Sequence, residues 1–578
     1  MKKILLPVSM LFSLAFINVG PAHKTTSAKA LPGRTALSER RTGLGCAPPE
    51  VPVVADANGR FIPALPGLGR HVYLISTKTD SAQFFFNQGL SFYYSYHLRD
   101  AVASFKEAAL FDSAAVMAYW GQALAMGPYY NTYAYKMKPG VAAVLASMSR
   151  LRAGGTEKEK TLIDAMLKRY SGDTTNADRE HLDSAYARAM SRLMKKFPED
   201  DDIKVLYIDA VMLQHKWDFW NADGSAKRWT PQLVRLCEGI LKRDPHQPAA
   251  LHYYIHLTEA GEHPERALAG ADRLKDDMPG AGHMVHMATH SYQRNGLFAK
   301  GVLVNEAANN VYNTEDSLAP MLGIGRNEII HVFAVQSFCA INGGMYDKAL
   351  PLYLRVRERC LAGHQAFAKD PYSQWVYMLL DMARVRMGKW EEILREAAPD
   401  PHWKYASLLY HFARGMALAN AGKTAPGGAE LASLRLNLSD SLLNVPLLPF
   451  DKPAQCGDVA AKILEASLLW QQGWRDQAIT IFRQAVDEED LLVYREPQQW
   501  VLPARQYLGA YLIKMNKAKE AERVYRRDLV KNPGNGWSLL GLSQSLTAQH
   551  KPAEADRARL QYIKAFEAAD VHPTASVF

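Results

Sequence analysis

The chain has 578 residues, of which 48% are hydrophobic and 22% charged, so it is too long for one compact domain and too apolar to be disordered. Its net charge of +9 is spread along the chain without a long basic run, which argues against a nucleic-acid partner. After the N-terminus, no segment is apolar over the roughly 18 residues that a bilayer span needs, so we expect the mature chain to have no membrane span.

Residues 1–30 are typical of a signal peptide. The segment starts with Lys2 and Lys3, continues as an apolar run and ends at Ala28-Lys29-Ala30, a small-x-small cleavage pattern. We therefore expect an exported protein that is periplasmic or secreted after cleavage. Cleavage removes four lysines and no acidic residue, which lowers the net charge from +9 to +5.

The five cysteines are compatible with export but form no CxxC pair, which disfavours a zinc ribbon or a thioredoxin-type motif. One or two disulfides could form among them in an oxidising compartment. They are Cys46, Cys237, Cys339, Cys360 and Cys456.

Composition and periodicity divide the rest of the chain into four parts. Residues 31–78 form an extended Pro/Gly-rich leader, and residues 79–440 form an N-terminal helical array in which apolar residues recur at i, i+3, i+4 and i+7. Residues 441–458 are a Pro-rich connecting loop, and residues 459–578 form a C-terminal array.

A repeat of tetratricopeptide (TPR) type runs through both arrays. A TPR unit places small residues where its two helices cross and a large residue in the gap between units. Gly89, Ala101 and Phe105 match this pattern, and Ala478 with Phe482 repeats it. We therefore predict an all-α fold, a TPR-type helical-hairpin superhelix, or α-solenoid.

Six histidines of the eighteen in the chain lie within residues 252–290, and four of them form two pairs spaced i, i+4. The pairs are offset by 34 residues, the TPR period, so they should lie on neighbouring helices and face the same concave groove. Neutral imidazoles with a nearby carboxylate suit a transition metal, with copper, iron and zinc as candidates. The predicted metal ligands are His252, His256, Glu259, His283, His286 and His290.

The alternative for this cluster is structural, with the histidines packed between helices or hydrogen-bonded to carbonyl groups. Zinc-peptidase chemistry is disfavoured because Tyr253 stands where the glutamate of an HExxH motif would be. The sequence assigns no catalytic residue.

Other residues are candidates for contacts to a bound ligand. Glu496 and Arg505 could supply polar contacts with Trp500 as a wall, although a buried loop-to-helix junction is the simpler interpretation. His97 lies in an aromatic-rich segment, and His331 occupies a groove-type position that could extend the histidine cluster.

Five segments of the chain carry a resemblance to known proteins: FNQGLSFYYSYHLRDAVASFKEAALFD, MAYWGQALAMGPYYN, HYYIHLTEA, GHMVHMATHSYQRNG and YREPQQW. Together they resemble a group of exported bacterial TPR proteins that has no settled activity. The resemblance implies that the six predicted metal ligands occupy the His-rich motifs of this group. The family's His-Asn-x-His-Phe segment is spaced differently here, at Asn327 and His331, and its Glu-Pro-Pro-x-Trp motif is altered at Gln498.

Three functions remain open at this stage. The leading hypothesis is a scaffold whose groove binds a peptide or protein partner, with a transition-metal site at the histidine cluster. The rival is a copper- or iron-dependent oxidative enzyme built on the superhelix, which needs an open coordination position. The third is a metal-free assembly factor for envelope complexes. Phosphate-binding loops and nucleophile elbows are absent from the sequence.

Overall fold

A computed structural model describes residues 53–578 apart from 132–134, 173–177, 320–321, 323–329, 363–366 and 448–449. The described residues form 25 α-helices and no β-strand, which confirms the all-α prediction. The first thirteen are α1 (Asp80–Tyr94), α2 (Leu98–Phe111), α3 (Val116–Met126), α4 (Val141–Leu151), α5 (Glu157–Met166), α6 (Arg179–Lys196), α7 (Asp201–Gln214), α8 (Thr230–Arg243), α9 (Pro248–Thr258), α10 (Leu268–Asp277), α11 (Gly282–Arg294), α12 (Phe298–Leu318) and α13 (Ile330–Asn342). The others are α14 (Leu350–Ala362), α15 (Pro371–Tyr377), α16 (Leu379–Arg386), α17 (Trp390–Arg395), α18 (Lys404–Asn420), α19 (Thr424–Leu438), α20 (Pro453–Gln471), α21 (Arg475–Asp490), α22 (Ala504–Lys514), α23 (Ala518–Lys531), α24 (Gly536–Thr547) and α25 (Pro552–Ala565).

Most consecutive helices pack against each other along the chain, and the small and large residues of the repeat pattern meet as predicted. A Cβ atom added at Gly121 would lie 2.4 Å from the ring of Phe105, and one at Gly89 would lie 2.7 Å from the same ring. In the C-terminal array, Tyr525 fills the corresponding gap between Gly509 and Gly541. The helical-repeat solenoid therefore rests on close contacts that only glycine permits.

Gly121→Ala is expected to lower the free energy of unfolding by about 2 kcal/mol, because the added methyl group overpacks a ring that Gly89 confines on its other side. Gly239→Ala is the matched control, since nothing lies within 4 Å of the added atom in α8. That change should be neutral or slightly stabilising, because alanine has the higher helix propensity. Urea unfolding of both variants measures the difference, and equal stabilities would contradict the packing argument.

Helices α9 and α11 start 34 residues apart, at Pro248 and Gly282, so the period predicted from the histidine pairs is also the period of the helices. The side chain of Gln247 accepts a hydrogen bond from the backbone N–H of Ala250 and caps α9. After α11 the chain turns at Gly296, whose φ of +70° suits glycine at a helix C-terminus.

The described residues form two hydrophobic cores, one running from Ile62 to Val332 and the other from Phe298 to Phe566. The two halves touch near the end of α11, where the Arg294 guanidinium donates to the carbonyl oxygen of Lys531 at 2.8 Å. The predicted loop 441–458 extends too far, because α19 ends at Leu438 and α20 already begins at Pro453. The two helices pack against each other within the second core. The boundaries 79–440 and 459–578 stay predictions.

The predicted signal peptide 1–30, residues 31–52 of the predicted leader, Cys46 and Asn327 lie outside the described residues. Cys237, Cys339, Cys360 and Cys456 are buried free thiols, so the described part of the chain contains no disulfide. No helix within this part is long and apolar enough to cross a membrane.

Candidate metal centre

Helices α9, α11 and α13 bring six imidazole rings together in the interior of the protein. The exposed fraction ranges from 0% for His252, His286 and His290 to 9% for His331. The histidines therefore do not line an open groove as their repeat positions suggested. The histidine-bearing faces of α9 and α11 are covered by parts of the chain that are distant in sequence. These include α13 and the segment that contains Tyr494 and Glu496.

Three of the rings form a first group: His252 and His256 from α9, and His283 from the first turn of α11. The Nε2 atom of His252 lies 3.2 Å from Nε2 of His256 and 3.1 Å from Nε2 of His283. On the opposite edge of its ring, His252 Nδ1 lies 2.7 Å from the carbonyl oxygen of Tyr94. Since a carbonyl group only accepts, Nδ1 carries the proton and the Nε2 lone pair points at the other two rings.

The second group consists of His286 and His290 from α11 and His331 from α13. His286 Nε2 lies 3.0 Å from His290 Nε2, and the ring of His331 lies 5.1 Å from the ring of His286. His286 Nδ1 is 2.6 Å from Oδ1 of Asn305 on α12, so this ring also presents its Nε2 lone pair to its neighbour. In each group the three ligand atoms lie within 4.8 Å of one another.

Glu259, at the C-terminus of α9, joins the two groups. One carboxylate oxygen lies 3.1 Å from Nδ1 of His256, and the other lies 2.9 Å from Nδ1 of His290. The hydroxyl of Tyr494 donates to the second oxygen at 3.0 Å, and Glu496 Oε1 lies 3.4 Å from His256 Nδ1. Carboxylates that accept from Nδ1 orient metal-binding histidines and raise their basicity. Glu259 is therefore placed to position two ligands, with Glu496 beside it.

The protonation states fit a cation-binding site. Burial, together with the neighbouring imidazoles, lowers the pKa of five of the six rings, to about 3 for His286 and about 4 for His290. These rings are neutral at pH 7, the form that binds metal ions. At His256, burial also lowers the pKa, but Glu496 and Glu259 outweigh it and raise the pKa to about 9. This ring is therefore protonated at pH 7 in the metal-free protein and must lose a proton when it binds an ion.

Facing lone pairs are the decisive chemical feature of the centre. Two neutral imidazoles protonated at Nδ1 repel each other when their Nε2 atoms are close. His286 and His290, which both have an acceptor at Nδ1, face each other in this way at 3.0 Å unless a cation lies between them. A tetrahedral zinc ion with bonds of about 2.05 Å places its nitrogen ligands about 3.3 Å apart. The observed separations are close to that value, so the residues fit a transition-metal ion.

Aromatic side chains enclose the first group. The ring of Tyr96 lies 4.6 Å from that of His252, and the ring of Tyr130 lies 5.2 Å from that of His256. Tyr96 sits in the turn between α1 and α2 with a φ of +58°, a conformation that L-residues rarely adopt. The sequence analysis did not single out Tyr96, although it lies next to His97 in the aromatic-rich segment.

The remaining predicted ligand-binding residues lie outside the two groups. His97 Nδ1 is 3.1 Å from Oε1 of Glu315, and Arg505 forms a two-pronged ion pair with Asp490, one contact of which is 2.7 Å. Trp500 packs edge-on against Phe412 in the second core. Their roles in binding a ligand stay predictions, as do those of the six predicted metal ligands. His331 and Glu496, predicted as ligand contacts, lie at the centre itself.

A cavity of about 120 Å³ adjoins the centre. Tyr494 and Arg294 form part of its wall, and Trp500 and Arg505 line it as well. Because the Tyr494 hydroxyl is also hydrogen-bonded to Glu259, this side chain separates the cavity from the histidines. The cavity is thus lined by two residues, Trp500 and Arg505, that the sequence analysis placed near a ligand.

Glu489 lines the same cavity, and burial together with Asp528 raises its pKa to about 8. An unfolded glutamate titrates near pH 4.3. Between that pH and about pH 8, Glu489 therefore keeps its proton in the folded protein and loses it in the unfolded chain. The stability that this group contributes is present below about pH 4 and is lost as the pH rises to about 8.

Glu489→Gln stays neutral, so its free energy of unfolding in urea should fall less between about pH 5 and about pH 8 than that of the wild type. Glu488→Gln, at a side chain that is 40% exposed, serves as the control and should keep the wild-type slope. Parallel pH profiles of the wild type and Glu489→Gln would contradict this assignment.

Comparisons with known proteins leave the family open. No family model and no curated protein sequence matches the chain. Among solved structures, yeast Tom70 is similar at 12% identity, with 78% of this chain and 92% of that chain covered and a TM-score of 0.28. A human IFIT1 dimer with m7Gppp-AAAA is 13% identical, with 86% and 92% covered and a TM-score of 0.31. An APC/C Cut9–Hcn1 assembly is 10% identical, with 85% and 89% covered and a TM-score of 0.27. Identities this low define no function for this chain.

Proposed function

We propose that this chain is a helical-repeat scaffold that binds a transition metal in a buried centre of six histidines. Imidazole nitrogen is a good ligand for copper, iron and zinc. One observation carries the proposal: His286 and His290 both have their Nδ1 atoms hydrogen-bonded to an acceptor while their Nε2 atoms face each other at 3.0 Å. A bound cation relieves the repulsion that this arrangement otherwise imposes.

The scaffold is proposed to bind a peptide or protein partner, and the cavity beside Tyr494 is the candidate contact. Trp500 supplies an aromatic wall, and both acidic and basic side chains line the cavity, Glu262 and Lys531 among them. A volume of about 120 Å³ suits a single inserted side chain rather than a whole segment. Export to the periplasm or beyond the cell is part of the proposal and is supported by the signal-peptide pattern of residues 1–30.

An oxidative metalloenzyme is the weaker alternative because its substrate must reach the metal. The six imidazoles are at most 9% exposed. Within the described residues, the lining of the cavity includes Tyr494 but none of these histidines. The geometry therefore supports binding better than turnover.

Elemental analysis of the untagged protein, purified from the compartment to which it is exported, tests the proposal. We expect at least one transition-metal atom per chain, and we expect the double variant His252→Ala/His286→Ala to lose it. His263→Ala is the matched control, because this side chain belongs to the same cluster in sequence but is 72% exposed. A wild-type protein that contains no metal and takes up none from copper, zinc or iron solutions would refute the metal-binding function.

A further inference from the structure

The six imidazoles are not one continuous cluster. The close Nε2 contacts at His252 lie within the first group, at 3.2 Å to His256 and 3.1 Å to His283. The contact between His286 and His290, at 3.0 Å, lies within the second. Across the groups, the rings of His256 and His290 are 5.7 Å apart, and those of His283 and His286 are 5.9 Å apart.

Each group also has its own anchors. In the first, the Tyr94 carbonyl group and one Glu259 oxygen accept from Nδ1 atoms. In the second, Asn305 and the other Glu259 oxygen do the same. The rings are therefore held in two sets of three, and a single carboxylate fixes one ring of each set.

One ion cannot satisfy both sets. A tetrahedral ion binds four ligands at about 2.0–2.1 Å, so it would leave at least two of the six imidazoles without a metal. In each set one ring, His252 or His286, has an acceptor at Nδ1 and points its Nε2 lone pair at the other imidazoles, so an ion in one set leaves the buried lone pair of the other set without a cation. Two ions, one in each set, give both lone pairs a cation.

We infer that the centre binds two transition-metal ions, the first at His252, His256 and His283 and the second at His286, His290 and His331. This inference rests on the proposed metal-binding function and specifies its stoichiometry. An all-nitrogen set of three ligands suits copper, which binds more tightly than the other divalent first-row ions. Three protein ligands also leave each ion a coordination position that a small exogenous ligand can fill.

The test is a copper(II) titration of the metal-free, full-length protein, followed by gel filtration, elemental analysis and electron paramagnetic resonance. We expect two copper ions per chain and the half-field signal of two spins that lie close together. His252→Ala and His286→Ala should each bind one ion and show an isolated copper(II) signal without the half-field feature. His263→Ala should bind two ions as the wild type does.

The outcomes separate this inference from the function on which it rests. One copper ion in the wild type overturns the two-ion centre and leaves metal binding intact, whereas no bound copper, zinc or iron overturns both. Two ions without a half-field signal, or two ions retained in His252→Ala, would mean that one ion binds elsewhere and would overturn the inference. If a variant fails to fold by circular dichroism, the wild-type stoichiometry and spin signal decide the question alone.

Discussion

Saturating the metal-free protein with zinc is expected to raise its Tm by on the order of 10 °C. A ligand that binds only the folded state stabilises it by about 4 kcal/mol when its free concentration is about a thousand times Kd. In domains of about 150–250 residues, each kcal/mol moves Tm by roughly 2–4 °C. The site is buried and assembled from three helices, so the unfolded chain cannot reproduce it and binding energy appears as stability.

Differential scanning calorimetry with and without zinc measures this shift. The variant His252→Ala/His286→Ala should show little of it, because each substitution removes the ring that contacts its neighbours most closely. His263→Ala should shift as the wild type does, since its exposed ring lies outside both groups. A shift of the same size in the double variant would place the zinc at another site.

Glu259→Gln is expected to weaken metal binding by about 100-fold, the upper end of the effect known for residues that orient metal ligands. The carboxylate accepts from Nδ1 of His256 with one oxygen and from Nδ1 of His290 with the other. A glutamine amide has a single oxygen, and its NH₂ group opposes an Nδ1–H donor, so one of the two rings loses its acceptor. The change keeps the size of the side chain and therefore tests its hydrogen bonding.

Competition with a chelator of known affinity measures the loss. Glu262→Gln is the control: it makes the same chemical change three residues away at an exposed position, and it should leave the metal affinity unchanged. If Glu259→Gln binds metal as tightly as the wild type, the carboxylate does not position the two histidines.

Much of the helical architecture could be predicted from the sequence, because the residues that determine it lie close together in the chain and recur at a regular spacing. The spacing of His252 from His286 reappears as the 34-residue offset between the starts of α9 and α11. Gly89 and Phe105 were recognisable because a close helix crossing demands a small residue opposite a large one. The i, i+4 spacing likewise required two imidazoles on one face of each helix.

For other residues, the sequence did not predict that they lie at the centre. Tyr494 and Glu496 contact residues more than 200 positions earlier, and in the sequence they belonged to a separate candidate site. Tyr96 meets the ring of His252 only because an unusual backbone conformation turns the chain between α1 and α2. No periodic pattern in a sequence predicts contacts between such distant residues or a contact that depends on an unusual backbone conformation.

The sequence by itself determined a stack of helices and the clustering of histidines on two neighbouring members of it, because helical periodicity depends on residues a few positions apart. Only the tertiary structure decided which histidines belong to each group of three. His283 lies on α11 but joins the pair on α9, and His331 from α13 completes the other set. The reason is that the crossing of packed helices, and not spacing along one helix, sets which nitrogen atoms come within bonding distance of a common ion.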